Sequence, residues 1–64
     1  MNATGDEHVS LSPEELAILA ELLESEHAKL MIEIRHTHHR AFREELRHRL
    51  SVVEELVGRL RQAA

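Results

Sequence analysis

The chain carries two apolar stripes that mirror each other about residue 38. Leu16 answers Leu60, Leu19 answers Val57, Leu23 answers Val53, Leu30 answers Leu46 and Ile34 answers Phe42, and each pair of residue numbers adds to 76. Antiparallel helices set residues of constant index sum face to face, so a chain doubling back near residue 38 closes both stripes into one seam. The expected fold class is all-α, an antiparallel two-helix hairpin.

The first helix is announced at its start. Ser12 is an N-cap, Pro13 occupies the first helical position where a missing N–H costs nothing, and Glu15 completes a capping box. Leu11 and Leu16 add a hydrophobic staple. Leu16, Leu19, Ala20, Leu23, His27, Leu30 and Ile34 then continue one stripe, which predicts a helix over 13–35. The second stripe, Phe42, Leu46, Leu50, Val53, Val57 and Leu60, is spaced by threes and fours as a coiled-coil-like seam requires, and predicts a helix over 38–62.

Neither glycine nor proline lies between Pro13 and Gly58, so the turn is assigned to 36–38 from the polar residues that interrupt the stripes, with Thr37 capping the second helix. Residues 1–11 read as a flexible leader in which Asn2, Thr4, Gly5 and Asp6 favour turns. Gly58 is either an interior glycine costing about 1 kcal/mol or the onset of fraying. One rival arrangement satisfies the same mirror: a single helix of about 50 residues, about 75 Å long, pairing antiparallel with a second copy. The polar interruption around Thr37 favours the hairpin.

Size decides what the hairpin needs. With 64 residues it is one domain at most, and a lone pair of helices buries too little to offset its ordering entropy. There is no cysteine to supply a disulfide, a thiolate metal site or a nucleophile. Apolar residues also remain off the seam: Ile18, Leu22, Met31 and Ile32 on the first helix, Val52 and Leu56 on the second. Burying these six against a second hairpin gives a homodimeric four-helix bundle, each leucine or valine contributing about 1.5 to 3 kcal/mol. The other occupant considered for this surface is a different protein. The opening residues have no apolar core and no apolar run is long enough to cross a bilayer, so a cytoplasmic protein with no membrane association is expected.

A formal charge of -4 conceals an asymmetry. Up to Ile34 the chain has Asp6, Glu7, Glu14, Glu15, Glu21, Glu24, Glu26 and Glu33 against Lys29 alone; from Arg35 onward arginines outnumber glutamates. An acidic helix and a basic one attract when antiparallel, though exposed pairs contribute only about 0.2 to 1 kcal/mol each. Across the seam Glu33 is expected to meet Arg43, and Glu15 to meet Arg61.

Six histidines is high usage for this length. Arg35, His36, His38, His39, Arg40 and Arg43 gather positive charge at the turn, where a helix N-terminus is already positive, and this makes them candidates for binding an anion or an acidic partner. A divalent metal such as zinc is the alternative cofactor to none at all. Its candidate ligands are Glu33, His36 and His39, with Glu26 and His27 nearer the middle of the stripe; Glu33 and His36 have the Glu-x-x-His spacing that puts two ligands on one helical face. A dedicated nucleic-acid binder is not expected from an acidic chain whose one aromatic residue is Phe42.

No nucleophile, base and acid fall into a catalytic pattern and no glycine-rich phosphate loop is present, so an enzyme is not expected. The run Val9-Ser10-Leu11 before a capped helix resembles the opening of ribbon-helix-helix repressors over about ten residues, but alternating basic strand residues and the loop expected after a dozen helical positions are missing. In general outline the chain resembles small bacterial helical-hairpin proteins. The function expected is that of a small interaction or regulatory protein of adaptor type acting as a homodimer, with a metal- or anion-binding module as the alternative.

Overall fold

The computed structural model describes residues 10–63. They form two helices of 24 residues each, α1 (Pro13–His36) and α2 (Arg40–Ala63), which pack against one another as a hairpin. Each spans about 36 Å at 1.5 Å per residue. The single rod is thereby set aside. The leader falls almost wholly outside the described residues.

Local chemistry explains where α1 begins. Ser12 is extended (φ -72°, ψ 162°), its Oγ accepts from the Glu15 backbone N–H at 3.1 Å, and Glu15 Oε1 accepts from the Ser12 N–H at 2.9 Å. Two backbone donors that the first turn leaves free are thus satisfied reciprocally.

The turn differs from the expectation in one respect. Thr37 does not cap α2; it ends α1, with φ -92° and ψ 126°, and its hydroxyl donates back to the Glu33 carbonyl at 2.6 Å. His36 Nδ1 likewise donates to the Ile32 carbonyl at 2.9 Å. The Glu33 carbonyl belongs to the last turn, whose carbonyls lack helical partners, and the His36 ring adds a second bond to the carbonyl one position earlier. With Thr37 committed backwards, α2 starts at Arg40, and His39 serves as its cap: Nδ1 accepts a long bond from the Phe42 N–H at 3.4 Å, and its carbonyl accepts from the Arg43 N–H at 2.9 Å. No described residue has positive φ, so the reversal needs no glycine.

The core is small. Leu30, Leu46 and Val53 are buried, with Leu23, Ile34, Leu50 and Val57 half-buried around them, and all seven belong to the mirrored stripes. Phe42, expected opposite Ile34, is instead 48% exposed. Its neighbour Arg43 is half-buried, with Nε shielded from solvent and without a hydrogen-bond partner. Residues 42 and 43 stand four and three positions before Leu46, so both border the seam, and here the aliphatic stem of an arginine takes the inner place while the ring turns outward.

Candidate interaction surfaces

Three cross-hairpin polar contacts tell the two broad sides of the hairpin apart. On one side Arg49 Nε donates to Glu26 at 2.7 Å; on the other His27 meets Glu54 at 3.0 Å and Arg61 meets Glu24 at 3.4 Å. Neither pair expected from the sequence forms. Arg61 meets Glu24 on the side opposite Glu15, whose carboxylate accepts from the Ser12 N–H in the capping box, and the Arg43 Nε is shielded from solvent without finding Glu33.

Helical spacing assigns the exposed apolar residues to these sides. Ile18, Leu22 and Glu26 recur every four positions along α1, and Phe42, Glu45, Arg49, Val52 and Leu56 recur by threes and fours along α2, so both rows share the side of the Glu26–Arg49 pair. Leu22 is the most exposed large apolar residue described, at 62%. Ile32 lies at the outer edge, beside a shallow depression bounded by Glu26, Lys29 and Glu33. Met31, four positions from His27, falls on the opposite side. Of the six apolar residues expected to be left over by the seam, all are exposed; five gather on or beside one side, and Phe42 joins them. The row of threes and fours through Phe42, Arg49, Val52 and Leu56 was the available signal for that addition.

The opposite side has its own feature at the open end of the hairpin. Pro13, Leu16, Ala17, Ala20, Val57, Leu60 and Ala63 line an open cavity of about 400 Å³, with Glu24 and Arg61 at its rim.

At the other end lies the basic turn. His36 and His39 act as caps, His38 is exposed, and Arg35, Arg40 and Arg43 have no ion-pair partner among the described residues. The proposed metal ligands disperse. Glu26 belongs to Arg49 and His27 to Glu54, His36 and His39 spend Nδ1 on backbone groups, and among the described residues no three histidine or carboxylate side chains converge on one point.

No described helix is long and apolar enough to cross a membrane. No protein-family model matches the chain, and neither the curated proteins nor the solved structures contain a match to it.

Proposed function

We propose that this chain is a non-enzymatic interaction protein of adaptor type that works as a homodimer, two hairpins forming a four-helix bundle through the side bearing Ile18, Leu22, Val52 and Leu56. One observation carries the reading. A hairpin with only Leu30, Leu46 and Val53 buried exposes more large apolar side chains than it hides, and they are concentrated on one side. The residues that flank those three in the seam, Leu23, Ile34, Leu50 and Val57, are only half-buried, so a lone hairpin hides little apolar surface. A second layer of helices supplies the missing burial.

Sedimentation equilibrium checks this directly. The native chain is expected at twice its 7.4 kDa mass, and Leu22→Glu combined with Leu56→Glu at the single-chain mass, because both substitutions charge the outer side and leave the seam residues in place. A native chain that sediments at 7.4 kDa, or a double variant that remains dimeric, overturns the assignment.

A further inference from the structure

The exposed apolar side carries complementary residues at matched heights on its two helices. Glu26 on α1 and Arg49 on α2 meet there at 2.7 Å, which ties the two rows at one level. Counting from that contact toward the open end, Leu22 and Val52 stand four and three residues away, and Ile18 and Leu56 eight and seven. Toward the turn, the exposed Lys29 and Glu45 stand three and four residues away, with Lys29 beside Glu26 in the shallow depression on α1. The members of each pair thus match in height to within one residue, about 1.5 Å. Two levels are apolar on both helices, and two set a carboxylate level with a cation.

We propose that the second copy lies on this side in the same direction, turn beside turn, about a two-fold axis parallel to the helices. The orientation rests on the homodimer reading given above. A half-turn about such an axis leaves every residue at its own height and lays α1 on the partner's α2. Residues that are level within one hairpin are then opposed across the interface, and every contact occurs twice. Leu22 meets the partner's Val52, and Ile18 meets the partner's Leu56. Glu26 keeps its own Arg49 and gains the partner's Arg49, while Lys29 meets the partner's Glu45. Apolar residues cover apolar ones and charges face opposite charges. The adjoining turns do not repel as units, because over residues 33–45 Arg35, Arg40 and Arg43 are balanced by Glu33, Glu44 and Glu45.

A reversed copy, about an axis perpendicular to the helices, lays each helix on its own counterpart and inverts the heights. With the ends of α1 overlapped, Leu22 falls within one residue of the partner's Glu26 and covers a carboxylate. Sliding the copy until Ile18 covers the partner's Leu22 and Val52 covers the partner's Leu56 sets Glu26 against the partner's Glu15 and Arg49 against the partner's Arg59, like on like. Sliding it the other way, until Glu26 meets the partner's Lys29 and Arg49 the partner's Glu45, carries Ile18 and Leu56 off the apolar row to the level of the partner's turn. No reversed register satisfies both kinds of level. Charged levels of this sort contribute little affinity at a wet rim, but they discriminate between orientations.

The chain has no cysteine, so a nitroxide on a His38→Cys variant labels the exposed tip of the turn alone. In the same-way dimer the two labels sit within about 20 Å, given neighbouring helix axes about 8 to 10 Å apart. In the reversed registers they sit about 30 Å or more apart by helical rise. Dipolar spectroscopy that reads the short distance in a species of double mass supports the proposal, and a long distance overturns the orientation while leaving the dimer intact. A labelled species of single-chain mass overturns the dimer reading and the orientation with it. Charge reversal gives an independent readout. Lys29→Glu and Glu45→Lys each set like charges against one another in both copies of their contact, and each is expected to weaken self-association by about threefold or more; an equimolar mixture of the two variants restores opposite charges in both contacts and is expected to regain that loss. A mixture that associates no more tightly than its components, or single variants that associate like the native chain, overturns the orientation.

Discussion

Leu30 and Leu60 hold comparable inward places on mirrored stripes, yet Leu30 is 1% exposed while Leu60 borders the open cavity between the start of α1 and the end of α2. Toward the turn, Leu30, Leu46, Ile34 and Leu50 close on one another; toward the open end the inward or flanking places go to Ala17, Ala20 and Ala63, whose side chains are too short to fill the gap. The two halves obey one periodicity and differ in volume. Spacing decides which residues face inward, and the sum of side-chain volumes decides whether the helices close.

Truncation exposes the contrast most strongly. Leu30→Ala is expected to cost about 3 kcal/mol, in line with fully buried leucines, and Leu60→Ala about 1 kcal/mol, because the space it leaves is already open to water. Urea unfolding followed by helical circular dichroism, with both variants at one protein concentration, checks the ratio; equal losses would mean that the open end is packed as tightly as the turn. A smaller effect tests whether the loose end depends on its cap. Ser12→Ala removes one half of a reciprocal pair and is expected to cost about 1 kcal/mol, seen as earlier loss of amide-exchange protection in the first turns of α1. Smallest is a gain: Gly58 sits inside α2 with nothing within 4 Å of the place a Cβ would occupy, so Gly58→Ala is expected to add about 0.5 to 1 kcal/mol and narrow the gap between the halves. The same urea titration reads it, as a higher midpoint.

Much of this architecture was legible in the order of residues. The Ser12-Pro13-Glu14-Glu15 start was readable because a cap is a local device whose partners are three residues apart. The core was readable because burial follows period, and Leu23, Leu30, Leu46 and Val53 repeat it. What stayed hidden turns on small differences. Thr37 has one hydroxyl and a choice between the carbonyls behind it and the N–H groups ahead; each bond is worth about 1 kcal/mol, and local backbone geometry decides. Phe42 and Arg43 stand beside each other at the rim of the seam, where a ring and an alkyl stem cover comparable area. Ion-pair partners were the least readable part, since long side chains on exposed flanks choose among several neighbours for a few tenths of a kcal/mol.

Because Phe42 is the chain's one aromatic residue and its ring faces outward beside the apolar row, the protein carries an unlabelled reporter of the proposed assembly. A ring tumbling in water gives almost no near-ultraviolet dichroism, whereas one held against a mate gives a sharp vibronic pattern, with no tryptophan or tyrosine band to obscure it. Dilution alone, watched at those wavelengths, would show the proposed bundle coming apart.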